Sequence, residues 1–211
     1  MTEFMIAPPL RSNARICAMP KSSAAARARK IKLILFDVDG VLTDGKIWIF
    51  PAPAGSRPTD MQPAVSLIEA KGFHAHDGTA IMLARMAGIK SGIITKRNSE
   101  TVALRARDLK IDHVYQGIQD KASVFAQILE KDGITAAEAA FVGDDIIDLP
   151  AMRRCGLAIA VKNARPEVKA EAHWTTAHAG GDGAARDAVE YILKAQGKWK
   201  KVLEEYMAKT D

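Results

Sequence analysis

Cysteine is almost absent from this sequence: of 211 residues, only Cys17 and Cys155 carry a thiol. That excludes a disulfide-stapled secreted scaffold and fits a reducing, cytoplasmic setting. Aromatic residues are also sparse, at 6%. No apolar run is long enough for a membrane span or the core of a signal peptide. Basic excess is missing from most of the chain. The net charge of +5 resides in residues 1–30, where Arg11, Arg15, Lys21, Arg27, Arg29 and Lys30 face Glu3 alone. The remainder is neutral, which argues against a nucleic-acid groove, because that needs basic side chains on one folded face. What is present, 48% hydrophobic and 26% charged residues, suits one globular domain with a full core.

The basic stretch 1–30 reads as a disordered leader, or as the product of an early start with Met19 the later candidate. The folded body then runs over 31–197, and a helical tail follows over 198–211. Within the body, Ile31–Phe36 is a short apolar run of the kind that forms a buried strand. Gly92–Thr95, Ala139–Gly143 and Leu157–Val161 read the same way. Helix-like stretches lie between and beside them at Gly78–Ala87, Ser99–Leu109, Lys121–Lys131 and Asp148–Arg154. This alternation predicts an α/β fold, a doubly wound parallel sheet with helices on both faces.

One segment breaks the alternation. Lys46–Phe50 and Ala64–Ile68 flank a Pro/Gly-rich stretch and predict a β-hairpin insert over about 46–72, too small to be a cap domain with its own core. Near the end, Ala184–Gln196 reads as a helix. Trp199, Val202, Leu203, Tyr206 and Met207 then recur on one face of a last short helix.

In parallel α/β sheets, ligands bind outside the carboxyl ends of the strands. The strand ends here carry Asp37 and Asp39, then Thr95, then Asp144 and Asp145, and Lys121 opens a helix between the last two. Clustered carboxylates repel and call for a cation, and an all-oxygen set favours Mg²⁺. A cation beside a free carboxylate, a hydroxyl and an ammonium is the equipment of phosphoryl transfer.

Asp37-Val-Asp-Gly-Val-Leu-Thr43, followed by Thr95, Lys121 and Gly143-Asp-Asp-Ile-Ile-Asp148, resembles the haloacid dehalogenase-like phosphatases. The resemblance is closer to one branch, the 3-deoxy-D-manno-octulosonate 8-phosphate phosphatases. It rests there on Asp37–Gly45, Gln116-Gly117, Gly180–Arg186 and Ala195–Gly197, and it covers about residues 31–197. It implies that Asp37 is the nucleophile and that Asp39 is the acid and base. It implies Mg²⁺ on Asp37, the Asp39 carbonyl and Asp144, with Asp145 and Asp148 orienting Lys121 and the metal's waters. Thr95 and Lys121 would hold the phosphoryl group. Arg97, Arg105, His74, His76, Asp77 and Gly78 are implied, with Asp39 and Lys121, at the substrate.

The branch pattern is not complete. His76 and Met82 stand where basic residues are expected, and Lys96 where a glycine is. Neither His nor Met supplies the bidentate fork with which Arg reads a carboxylate. A phosphorylated sugar acid is therefore the expected substrate, with weaker selection for the octulosonate. Two other readings stay open: a phosphate-receiver signalling domain and a non-catalytic oligomerisation module of the same fold. The apolar hairpin and tail, without a partner in the body, predict a homotetramer.

Overall fold

Leu33–Phe36, an unbroken apolar run, forms β1 at the centre of a parallel sheet, buried on both faces. The computed structural model describes residues 23–51 and 67–208. β2 (Trp48–Pro51) and β3 (Leu67–Ala70) pair antiparallel as the hairpin insert. The part of the expected second hairpin strand over 64–66 lies outside the described residues. α2 (Ala75–Met86) leads into β4 (Lys90–Ile94), and α3 (Glu100–Asp108) leads into β5 (His113–Tyr115). α4 (Lys121–Asp132) precedes β6 (Ala139–Gly143), and α5 (Leu149–Met152) precedes β7 (Leu157–Ala160). α6 (Pro166–Glu171), β8 (Trp174–Thr175), α7 (Ala184–Ala195) and α8 (Trp199–Met207) complete the chain.

The sheet order is β5-β4-β1-β6-β7-β8, and every pairing in it is parallel. The order reverses at β1, so the crevice outside its carboxyl end opens between β4 and β6. Helix ends are set locally. Ser99 caps α3, Asp120 caps α4, and Gly133 closes α4 in the left-handed conformation.

Two sequence expectations change. Residues 24–28, assigned to the leader, form helix α1 (Ala24–Ala28), and Ala28 is wholly buried. Gln196 secures it by donating to the carbonyls of Ala28 (3.2 Å) and Ile31 (2.7 Å). The folded body therefore begins before residue 31, and residues 1–22 lie outside the described ones. The tail, expected to seek a partner, folds back on its own subunit. Val202 is buried, Trp199 and Leu203 pack against the core, and Lys198 donates to the Ala87 carbonyl at 3.1 Å. Of the predicted stripe, Tyr206 and Met207 stay exposed.

Candidate active site

The strand order sets the ends of β4, β1 and β6 side by side, so Thr95, Asp37 and Asp144 converge from three different stretches of chain. Asp37 continues β1 by donating its N–H to Val142 at 3.0 Å, and Thr95 continues β4 by donating to Tyr115 at 3.0 Å. Both side chains are buried.

Lys121, at the first position of α4, crosses into this buried space. Its Nζ lies 2.7 Å from Asp37 Oδ1 and 2.6 Å from Asp148 Oδ1. Burial alone would push the ammonium down, but the two carboxylates outweigh it and hold its pKa above the ordinary value. Lys121 is therefore a fixed cation. The other Asp148 oxygen accepts the backbone N–H groups of Asp144 (3.0 Å) and Asp145 (3.3 Å). Asp148 thus positions both Lys121 and the loop after β6. The Asp145 carboxylate accepts the Ile146 N–H at 2.7 Å and caps the short turn Ile146–Asp148.

Asp37, Asp144 and Asp148 bring carboxylate oxygens within 4.8 Å of one another. Burial first, then Asp148, Asp37 and Asp145, raises the Asp144 pKa to about 8. Burial and Asp148 raise Asp37 to about 6. Asp144 Oδ1 is buried without a hydrogen-bond partner. An orphaned carboxylate oxygen among clustered acids, with only oxygen donors nearby, fits a hard divalent cation such as Mg²⁺. The approach of Asp144 also explains Gly40: at φ +91° a Cβ there would lie 2.2 Å from Asp144 Oδ2. Asn163 braces the same loop, donating to the Gly40 carbonyl at 3.3 Å and accepting the Gly180 N–H at 2.7 Å.

Asp39 faces the other way, towards the hairpin. It pairs with Lys71, and Arg97 Nε lies 3.9 Å from its second oxygen. Glu69 completes the group, with Arg97 Nη2 at 2.6 Å and Lys71 Nζ at 3.6 Å. Neither Lys71 nor Glu69 stands out in the sequence, where a lysine before glycine reads as an exposed turn.

The remaining expected substrate residues make contacts of another kind. Asp77 is buried, accepts the Arg186 N–H at 2.8 Å and anchors the start of α7 to α2, which leaves its Oδ2 unpartnered. Burial raises its pKa. Gly78 gives room to Arg105, whose guanidinium would come within 2.6 Å of a Cβ there and whose carbon centre lies 5.9 Å from the Phe73 ring centroid. These side chains share a small apolar pocket with Leu42, Ile81 and Val102. His74 caps α2 by accepting the His76 N–H at 3.3 Å, and His76 is exposed.

Residues 79–186 match the family model of the haloacid dehalogenase-like hydrolases. The chain is 38% identical over 183 residues to the 3-deoxy-D-manno-octulosonate 8-phosphate phosphatase KdsC of Escherichia coli strain K12, covering 86% of this chain and 90% of that one. Among solved structures, the 3-deoxy-D-manno-octulosonate 8-phosphate phosphatase of Moraxella catarrhalis, crystallised with magnesium, phosphate and KDO, superposes with a TM-score of 0.76 at 34% identity. That match covers 87% of this chain and 97% of the other. The cobalt-bound phosphatase of Haemophilus influenzae gives 0.70 at 33% identity, over 82% and 92% of the two chains. With the acid cluster, its buried lysine and these relatives together, the chain belongs to the haloacid dehalogenase-like hydrolases, in the branch of the 3-deoxy-D-manno-octulosonate 8-phosphate phosphatases.

Proposed function

We propose that this phosphatase hydrolyses 3-deoxy-D-manno-octulosonate 8-phosphate, or a related 2-keto-3-deoxy sugar acid phosphate, with Mg²⁺ as cofactor. The observation that carries the reading is Lys121 locked between Asp37 and Asp148 beside the orphaned oxygen of Asp144. Asp37, Asp144 and the Asp39 carbonyl would hold the cation, which screens the acids from the phosphate dianion and withdraws charge from its oxygens.

An Asp37 carboxylate oxygen attacks phosphorus, and the ester P–O bond breaks. The departing alkoxide takes a proton from the Asp39 carboxyl. Water then attacks the aspartyl-phosphate, giving its proton to Asp39. The bond from phosphorus to Asp37 breaks, releasing inorganic phosphate and restoring the Asp37 carboxylate. Lys121 and the Thr95 hydroxyl neutralise charge on the equatorial oxygens. A receiver-type switch would have no use for a base at Asp39.

Arg97, at the rim and 43% exposed, supports a carboxylate-bearing substrate, and His76 supports only weak selection among such substrates. The test is a panel of phosphorylated sugars and sugar acids assayed with Mg²⁺, alongside Asp37→Asn. The 2-keto-3-deoxy acids should lead the panel. The variant should lose about 10³-fold or more while remaining folded. Near-normal turnover by Asp37→Asn, or a neutral sugar phosphate far ahead of every acid, would overturn the reading.

Assembly as a homotetramer in the cytoplasm belongs to the same proposal. Trp48 (53% exposed), Ile49 (57%) and Phe50 (48%) leave the hairpin apolar on both faces, which supports burial against another copy. No helix among the described residues is long and apolar enough to cross a membrane.

A further inference from the structure

Asp39 lies in a ring of alternating charge that the steps above leave without a purpose. Lys71 faces Asp39 and Glu69; Arg97 faces the same two carboxylates from the other side. The two cations differ. The Arg97 side chain is 43% exposed, whereas that of Lys71 is completely enclosed. An enclosed ammonium is tolerated only against well-placed carboxylates, so Lys71 and Asp39 fix one another's position. Asp39 has need of this. It stands in a loop next to Gly40, beyond the end of β1, where no strand pairing holds it.

We propose that Lys71 is a positioning residue for the reaction, holding the Asp39 carboxyl in the orientation that delivers its proton to the leaving alkoxide. Glu69 steadies the Lys71 ammonium from the far side. The inference rests on the reading of Asp39 as the acid. It gives the hairpin a part in the chemistry of its own subunit, because Glu69 lies on β3 and Lys71 directly follows it.

A positioning role separates from a merely structural one by leaving group. An alkyl phosphate must receive a proton as its ester bond breaks, whereas p-nitrophenyl phosphate releases a stable phenolate unaided. kcat/KM reports the steps up to phosphoryl transfer, so the ratio of the two efficiencies isolates proton delivery. With the Mg²⁺-loaded full chain, Lys71→Met should lower the ratio of sugar phosphate to p-nitrophenyl phosphate by about 10–100-fold, a part of the usual worth of a general acid. Lys71→Arg should recover only part of it, because the guanidinium supplies the charge but not the compact geometry of the ammonium. An unchanged ratio in Lys71→Met, with both efficiencies falling together, would overturn the proposal. Should Lys71→Met not fold, Lys71→Arg decides by itself: its ratio should fall by about 3–10-fold, because a guanidinium cannot sit where the compact ammonium does. A ratio equal to the wild type's would then overturn the proposal. Wild-type protein that hydrolyses neither ester would overturn the phosphatase reading itself, a result distinct from an unchanged ratio.

Discussion

Lys121 and Asp148 meet at 2.6 Å in a space water does not reach, with side chains 1% and 0% exposed. The charge of Lys121 is upheld by Asp37 first and by Asp148 after it. Asp148→Ala would leave the ammonium with Asp37 alone and strip the acceptor from the N–H groups of Asp144 and Asp145. Breaking a buried pair by removing one partner costs about 3–5 kcal/mol, so the urea midpoint should fall sharply. A midpoint equal to the wild type's would show that the pair does not support the fold.

The raised acids give the metal site a pH dependence with a defined sign. Asp144, ordinarily near 3.8, stands at about 8, and Asp37 at about 6. Each binds its proton more tightly folded than unfolded, so the metal-free chain loses stability as pH rises through this window. A divalent cation replaces those protons, and Mg²⁺ should therefore bind more tightly at pH 8 than at pH 6. At one Mg²⁺ concentration, the rise in Tm over the metal-free protein should be larger at pH 8. An equal or smaller rise would contradict the assignment of Asp144 as a ligand.

Gly40→Ala tests the loop that passes under Asp144. The new methyl would collide with the carboxylate at 2.2 Å and impose φ +91° on a residue with a Cβ. Strain of this kind costs about 1–3 kcal/mol. Titration calorimetry should show weakened Mg²⁺ binding together with that loss of stability. Full Mg²⁺ affinity in the variant would mean that the loop is free to move aside.

Removing residues 198–211 separates the tail from assembly. Val202 and its neighbours pack on α7 and α2 of the same subunit, so truncation should cost about 2–4 kcal/mol. On the proposal that the hairpin carries the contact between copies, light scattering should still report a tetramer of 22.8 kDa subunits, slightly reduced in mass. A truncated chain that is monomeric beside a tetrameric parent would assign the interface to the tail instead.

What the sequence made legible follows from burial. β1, β6 and β7 lie inside the sheet and appear as continuous apolar runs, whereas β4, also inside, opens on Lys90-Ser91 and shows only its apolar second half. β5 and β8 are its edges, only three and two residues long, and His113-Val-Tyr115 carries no comparable signal. Helix α1 hides in an Ala/Arg-rich stretch because contacts distant in sequence stabilise it, among them Arg27 donating to the Gly156 carbonyl at 2.8 Å. Asp37, Thr95, Lys121 and Asp144 were readable because each falls at a strand end or helix start. Asp77 was not, because an aspartate before glycine looks the same whether it faces a substrate or the start of α7. Lys71 was hidden for the opposite reason: a lysine at a turn normally points to solvent, and its enclosure depends on Glu69 and Asp39 arriving from elsewhere.

The brace formed by Asn163 and Gly180 around Gly40 has a consequence for how the protein is made. β1 and Asp37 leave the ribosome early, yet the loop that follows them is secured by residues synthesised well over a hundred positions later. At about 5–20 residues per second, the nascent chain spends several seconds or more with its central strand made and its reactive loop untethered. Catalytic competence therefore arrives late in synthesis. A truncated translation product ending before residue 163 would carry every acid of the cluster and still lack the clasp that sets them.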